Sequence, residues 1–344
     1  MSLRVGLVYD RFGDAEPPPG APPDWDAEYE PEATIAALED ALERLGHTPV
    51  RIGNVPSLLE HIRRGPLNLD AALTIAESYG SRNREAHAPI LLELAGVPCL
   101  GSDALTLSVS LDKALTKTVA RAAGLATPDW RVVHDRIPGT GDRGDREPSP
   151  VPHPSFPVFV KPRYEGTAKG IAPTSRCDDP ARLGAEVERQ HALYRQDLIV
   201  EAFVEGAEFT VGVVETGTEA EALPVLQRAT ERTTGIGLHA LERHDDPATP
   251  FAYDVDAVLS DALEAALQRD ALTIHRALEC HDFSRSDFRV APDGRVWFIE
   301  INPLPTFAPD GTFAILAELA GRPYASFLAE VLARGLRRLA ISRP

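Results

Sequence analysis

The sequence has little cysteine. Cys99, Cys177 and Cys280 are the only three in 344 residues; they lie far apart, in no zinc or dithiol spacing, which argues against a zinc cluster or a disulfide framework and for a reducing compartment. Positive charge is also short: 35 Lys and Arg stand against 52 Asp and Glu, a formal net charge of −17. A surface of that sign repels a phosphate backbone, so no nucleic-acid partner is expected. Any phosphate the protein binds must be met by a few local cations, backbone amides or a metal. No run of 18 apolar residues occurs, and "MSLRVGLVYD" lacks the basic and apolar regions of a secretory leader. No membrane partner is expected, and the chain reads as cytoplasmic.

What is present is an ordinary globular composition, 43% hydrophobic and 25% charged, long enough for two or three cores. "LRVGLVYD" reads as a buried strand, the Pro-rich "EPPPGAPPDWDAEY" as a loop, and "PEATIAALEDALERLGH" as a helix, with Pro31 suited to its first turn and Gly46 to its end. With "TPVRIG", "LDAALTIAES" and "HAPILLELAGVPCLGS" the alternation of strand and helix signals predicts a parallel sheet flanked by helices, an α/β arrangement. Residues 137–155, rich in Gly, Pro and charge, read as an exposed insertion between the strands "DWRVVHD" and "FPVFVKP". Mixed strands and helices follow, ending in the amphipathic "YASFLAEVLARGLRRLA". Three regions are expected, 1–110, 111–205 and 206–344.

The candidate chemistry begins at "SRSDFRVAPDGRVWFIEIN", two alternating runs joined by Asp293-Gly294, a favoured pair for a two-residue hairpin loop. That loop sets Asp287 opposite Glu300 and Arg285 opposite Asn302, all on one face. Three oxygen-bearing side chains on a rigid hairpin suit Mg²⁺, which takes few carboxylates and completes its shell with water and substrate phosphates. Arg285 beside them would meet an anion. A solvent-facing hairpin with incidental charges is the competing reading; Phe298, Ile299 and Ile301 weigh for a strand inside a domain.

Three further segments stand out. In "FPVFVKPRYEGTAKGIA" a strand ends in Lys161 and enters a small-residue loop able to fold its amides over phosphates, though a lysine before proline in a surface turn reads equally well. Lys113 opens the amphipathic "SLDKALTKTVARAAGLATP". In "LIVEAFVEGAEFTVGVV", Glu201, Glu205 and Glu208 surround a Gly-containing break; they could serve a nucleotide cleft or be charges on an exposed connection.

Together and in this order these segments resemble the D-alanine–D-alanine ligase family of the ATP-grasp superfamily, over most of the chain. The resemblance implies a three-domain ATP-grasp ligase whose N-terminal parallel-sheet domain precedes the two ATP-grasp subdomains. It implies ATP and two Mg²⁺ ions, with Mn²⁺ as an alternative, small carboxylic acid and amine substrates, and an acyl phosphate intermediate; it leaves a homodimer open. By motif position Lys113 and Lys161 would contact phosphates, Gly166, Thr167 and Ala168 would form the closing flap, and Thr167 would replace a family serine. Glu201 and the backbone of Ala202, Phe203 and Val204 would meet adenine, and Glu208 the ribose. Asp287, Glu300 and Asn302 would hold the metal, Glu300 bridging both ions, and Arg285 would stabilise the acyl phosphate.

Departures from the family bear on the substrate. Glu28 stands where a family glutamate holds the first amino acid's ammonium, but it follows a long Pro-rich insertion. The family's Lys-Tyr pair has no match in "TERTTGIGLHALERHDDPATPF". Thr306 replaces a glycine, and Gly311 replaces a serine expected to bind the second carboxylate, with Thr312 as its substitute. A substrate that is an amino acid or related small acid, other than D-Ala plus D-Ala, is therefore expected, against two alternatives: an authentic D-Ala–D-Ala ligase, and a nucleotide-binding protein without catalysis. Arg82, Arg84, Glu85 and His87 read as a hydrated helix terminus and His239 and His244 as surface histidines, with the substrate cleft as the rival place for the former and proton transfer as the rival role for the latter.

Overall fold

The apolar runs of the first hundred residues form β1 (Arg4–Tyr9), β2 (Thr48–Gly53), β3 (Ala71–Ile75) and β4 (Cys99–Leu100), connected through α1 (Glu32–Arg44), α2 (Val55–Arg64) and α3 (His87–Leu94). The computed structural model describes residues 2–135, 154–241, 244, 250–255 and 259–341. The four strands pair in parallel in the order β2-β1-β3-β4, as helical crossovers require. Both faces are covered: Leu7 and Ile75 join a core with Ile35 and Leu38 of α1, while Val8 and Ala72 pack with Leu58 of α2 and Leu92 of α3. Pro31 sits just before α1 rather than in its first turn.

Two short helices lead into the middle of the chain, α4 (Ala104–Leu111) and α5 (Lys113–Ala122). The Asp112 carboxylate accepts from the amides of Ala114 (3.1 Å) and Leu115 (3.2 Å) and so caps α5, which puts Lys113 at its first position. An antiparallel sheet of order β5-β8-β6-β7 follows, built from β5 (Trp130–Val133), β6 (Val158–Pro162), β7 (Arg176–Cys177) and β8 (Leu198–Ala202), with α6 (Pro180–Tyr194) between β7 and β8. Of the insertion read at 137–155, all but the last two residues lie outside the described residues.

The third sheet runs β10-β9-β14-β15 with β11 beside β9: β9 (Ala207–Val214), β10 (Glu221–Ala222), β11 (Leu226–Arg228), β14 (Phe283–Val290) and β15 (Val296–Asn302). Between them lie a small pair, β12 (Thr230–Glu231) and β13 (Tyr253–Asp254), and the helices α7 (Leu238–Leu241) and α8 (Asp261–Ala277). Phe209, Phe288, Phe298 and Ile301 form its core against Leu267 and Ile274 of α8. The chain then returns to its beginning: α9 (Thr312–Leu319) and α10 (Tyr324–Ile341) place Phe313, Leu316, Phe327 and Leu332 in the same core as Leu7 and Ile35. Full burial is worth roughly 2 kcal/mol for each phenylalanine, so the last helices help hold the first sheet. No helix among the described residues is long and apolar enough to cross a membrane.

The hairpin of β14 and β15 differs from expectation in its loop and its register. The loop has three residues, Pro292–Gly294, closed by the Gly294 amide on the Ala291 carbonyl (2.8 Å), with Gly294 at φ +85°. That shifts pairing by one, so Phe288 faces Phe298; a bulge at Ile299 then shifts it back, and Asp287 faces Glu300 and Arg285 faces Asn302 as anticipated. The extra residue also turns Ile299 and Glu300 both toward the cleft, while Phe298 and Ile301 both face the core.

Candidate active site

A cleft of about 480 Å³ opens between the second and third sheets. Lys161 on β6, Thr167 and Ala168 of the following loop, Glu201 and Ala202 on β8, and Phe203 and Val204 after it line one side. Glu208 on β9, Arg285 and Asp287 on β14 and Glu300 on β15 line the other, with Thr306, Gly311 and Thr312 at one end. Gly206, which turns the chain from β8 to β9, has φ +126°, and a Cβ there would stand 2.1 Å from the Val290 carbonyl oxygen; only glycine permits that approach.

Lys161 ties the two walls together. Its Nζ is 3.0 Å from Glu201 Oε1 and 3.4 Å from Glu300 Oε2. Burial works against its charge, but the two carboxylates outweigh burial and raise its pKa above the lysine value. Burial likewise works against Glu300, and Lys161, Lys113 and Arg285 overcome it, bringing the carboxyl down to about 2. Lys117, one turn along α5 from Lys113, has its Nζ 2.8 Å from Glu201 Oε2 and donates to Thr127 Oγ1 at 3.0 Å. There burial prevails and the ammonium pKa is lowered. Lys113 is also buried and donates to the Glu165 carbonyl in the flap. Of the three lysines only Lys161 lines the cleft; Lys113 and Lys117 are buried behind it.

The metal question turns on the donor set. Among the described residues no three or more His, Cys, Asp and Glu side chains are grouped to hold a metal; the donors here are two carboxylates, Asp287 and Glu300, and one amide oxygen, that of Asn302. Asp287 accepts from Thr210 Oγ1 at 2.7 Å and from Arg285 Nη2 at 3.0 Å, one bond per oxygen, which leaves lone pairs on both. Asn302 Oδ1 accepts from the Leu304 amide at 2.7 Å, which orients its amide. Two carboxylates and an amide oxygen at the cleft fit Mg²⁺, which keeps water and substrate oxygens in most of its shell.

Glu28 lies elsewhere. It is buried outside the cleft, and its carboxylate is taken up by Arg84 Nη2 (2.7 Å), Lys169 Nζ (3.1 Å) and the Gly166 amide (2.7 Å). Burial opposes its charge, and Arg84 and Lys169 bring the pKa down to about 2. A Cβ on Gly166 would stand 2.6 Å from Glu28 Oε1, so glycine is needed for the contact. Thr167 and Ala168, at φ +45° and +54°, carry left-handed backbone at a cost of roughly 1–2 kcal/mol each, strain concentrated at the tip of the flap. Arg84 and Glu85 correct the hydrated-terminus reading: they are 2% and 7% exposed, and Arg84 also pairs with Glu77 at 2.9 Å. Arg82 remains exposed, near the Tyr164 ring.

At the far end of the cleft Thr312 opens α9, and its Oγ1 accepts from Arg228 Nη2 at 2.7 Å. Arg228, on β11, also approaches Thr210 Oγ1 (3.4 Å), so one guanidinium spans β9 and the start of α9. Thr306 Oγ1 donates to Glu30 Oε2 (2.9 Å), which also accepts from Thr34 (2.8 Å). Burial raises the pKa of Glu30.

The D-ala D-ala ligase C-terminus family model matches residues 119–333. The chain belongs to the D-Ala–D-Ala ligase family. The D-alanine–D-alanine ligase of Kocuria rhizophila is 32% identical over 250 residues, 72% of this chain and 63% of that protein. The protein y4sG of Sinorhizobium fredii is 27% identical over 96% of this chain and 94% of its own length. A crystal structure of D-alanine–D-alanine ligase from Bacillus anthracis complexed with ATP superposes with a TM-score of 0.69 at 19% identity, covering 99% of this chain and all of that one. The fold is accordingly that of an ATP-grasp protein, and this family member is an ATP-dependent ligase forming C–N bonds.

In the ligase the apolar end of the cleft is walled by Phe159, Phe203, Ile236 and Ala240. The Phe203 ring is also flanked by the guanidinium carbons of Arg176 and Arg289, 4.7 and 5.0 Å from its centroid. Both histidines are exposed as expected: His239 also lines the cleft wall, 3.5 Å from Glu208, and His244 bonds the Ile171 carbonyl. Lys117, Arg228 and Arg289 escaped the sequence reading. Lys117 had a signal, its four-residue spacing from Lys113 along one helix face; Arg228 and Arg289 carry none that distinguishes them from other strand arginines.

Proposed function

We propose that the ligase is Mg²⁺-dependent and joins a small acid, an amino acid or a close relative other than the D-Ala pair, to an amine through an acyl phosphate. The observation that carries this is the convergence of Lys161, Glu300, Asp287 and Arg285 on one cleft floor. A carboxylate attacking a γ-phosphate is an anion approaching an anion, so fixed positive charge must be in place before transfer.

In this reading Lys161 and Lys113 hold the phosphates from below. Phe159, Phe203 and Ile236 sandwich adenine, whose edge meets the 202–204 backbone, and Glu208 takes the ribose. Asp287, Glu300 and Asn302 would hold Mg²⁺, which would supply neutralisation of polyphosphate charge. Arg285 holds the substrate carboxylate and then the tetrahedral oxyanion. The oxygen of the acid attacks the γ-phosphorus and ADP leaves; the amine attacks the acyl carbon and phosphate leaves with that oxygen. The flap of Gly166–Ala168 keeps water from the acyl phosphate in between. We take the three parts 1–110, 111–205 and 206–344 as the working domains, with the protein acting in the cytoplasm.

The departure from D-Ala rests on Glu28 and Thr312. A carboxylate already bound by Arg84, Lys169 and an amide is a poor partner for a further ammonium, and Thr312 is engaged by Arg228. The second reading, an authentic D-alanine–D-alanine ligase, is supported by the match over 119–333 and the name of the Kocuria relative. Purified protein with Mg·ATP and pools of acids and amines decides, read by phosphate release and product mass. The expected result is phosphate release with a pool other than D-Ala alone; D-Ala–D-Ala formed at the highest rate of any pair establishes the second reading instead.

A further inference from the structure

The Pro-rich loop between β1 and α1 roofs a second cavity, of about 320 Å³, which shares no lining residue with the ATP cleft. It lies beyond the carboxyl ends of β1, β2 and β3, where Asp10, Asn54 and Ser78 follow the strands. In a sheet of order β2-β1-β3-β4 the chain reverses its winding beside β1, and the crevice at such a point is the usual ligand position in open parallel sheets.

Three aromatic side chains line it. Trp25 packs edge-to-face with Tyr29, centroids 5.2 Å apart at 76°, and with Tyr79 at 5.9 Å and 90°. Their polar tips are unused: among the described residues neither the Trp25 indole N–H nor the Tyr29 and Tyr79 hydroxyls have a hydrogen-bond partner. Trp25 is 8% exposed as a residue, and its indole N–H is not among the buried atoms left without a partner, so it remains open to a ligand or to water. The charged groups on the wall are mostly acidic, Asp10, Asp14 and Glu16, and His87 lines it as well. The one guanidinium among them, Arg11, is held between Asp14 (2.7 Å) and Glu32 (2.6 Å), which leaves Asp10 and Glu16 as the wall carboxylates that no cation pairs with among the described residues.

We propose that this cavity binds a small organic ammonium ion. Aromatic rings attract a cation through their quadrupoles, most strongly where water is excluded, and the carboxylates select the sign of the ligand. The same wall also moors the flap. The Trp25 carbonyl accepts from Lys169 Nζ at 3.3 Å, Asp24 Oδ2 accepts from the Gly170 amide at 3.2 Å, and Lys169 Nζ stands 5.7 Å from the Tyr79 centroid. A ligand that orders Trp25 and Tyr79 therefore favours the closed flap, and by linkage flap closure favours the ligand.

The test uses the full chain and two probe pairs, n-butylammonium against 1-butanol and choline against 3,3-dimethylbutan-1-ol, titrated by calorimetry and tryptophan fluorescence. At least one cation is expected to bind at millimolar concentration, roughly tenfold or more tighter than its neutral partner, the size of a desolvated cation–ring contact. Trp25→Leu should abolish the binding and Glu16→Gln, an exposed change that leaves the core untouched, should weaken it several-fold. Amide exchange across 164–170 should slow when the cation is bound. Equal binding of the neutral partners, unaltered binding by Trp25→Leu, or no binding of either cation overturns the proposal.

Discussion

Lys161 and Glu300 meet across the cleft, Nζ to Oε2 at 3.4 Å, from strands of two different sheets. In the proposed mechanism the pair sits where the transferred phosphate passes, and each holds the other ionised: Lys161 raised, Glu300 brought down to about 2. Glu300→Gln removes the carboxylate but leaves Lys161 its partner Glu201. Turnover should fall by about 10²-fold or more, with the thermal midpoint little changed. A Glu300→Gln protein with ordinary turnover would contradict the assignment.

Glu201 is the more structural carboxylate, since both of its oxygens face buried ammonium groups. Glu201→Gln strands Lys117 beside Lys161, and should destabilise the fold by about 3 kcal/mol. Adding Lys117→Met removes the stranded charge and should recover a good part of the loss. Denaturant unfolding of the single and double variants checks this; additive losses would show that the two residues do not share one interaction.

Arg228 donates to Thr312 Oγ1 in the cleft wall, in the proposed reading away from adenine. Arg228→Met should therefore raise the KM of the amine substrate by roughly 10- to 100-fold, the range for losing a charged hydrogen bond. The KM for ATP should stay the same. Steady-state kinetics in both substrates separates the two, and a rise confined to ATP would place Arg228 in the wrong half of the site.

His275 on α8 is fully buried, with Nε2 3.0 Å from the Glu215 carbonyl and Nδ1 2.8 Å from Ser284 Oγ. A carbonyl only accepts, so Nε2 carries the proton and Nδ1 accepts from the hydroxyl, the neutral form. Burial pushes its pKa down from the usual 6.5 to about 4. Between pH 6.5 and 4 the unfolded chain takes up a proton that the folded chain refuses, so stability falls as pH falls through that window, by an amount on the order of 3 kcal/mol. His275→Gln should be less stable at pH 7.5 and show a flatter slope between pH 6.5 and 4. A slope identical to that of the unaltered chain would rule His275 out as its source.

Much of the site was legible in the sequence because alternation along strands is a strong constraint. Asp287, Glu300, Arg285 and Asn302 meet as periodicity required, although two local departures cancel there: the loop is one residue longer than Asp293-Gly294 implied, and the bulge at Ile299 absorbs the difference. Bulges leave no mark in a run such as "WFIEI". The parallel sheet was legible from its strand–helix alternation. What could not be read were contacts between distant segments. Glu28 and Lys169 are 141 positions apart, and Arg228 and Thr312 are 84 apart; no local pattern encodes such pairs. Arg84 and Glu85 misled because charge usually marks surface, whereas under the flap four carboxyl groups gather around two buried cations.

The central claim is transfer of the γ-phosphoryl group to a carboxylate, followed by displacement with an amine. With the acid found by the pool screen, labelled with ¹⁸O in both carboxylate oxygens, the released phosphate is read by mass spectrometry. One ¹⁸O should appear in each phosphate, and one should remain in the amide. Phosphate that carries no label, formed at the same rate as product, would contradict an acyl phosphate and with it the roles of Lys161, Glu300 and Arg285 in the transfer.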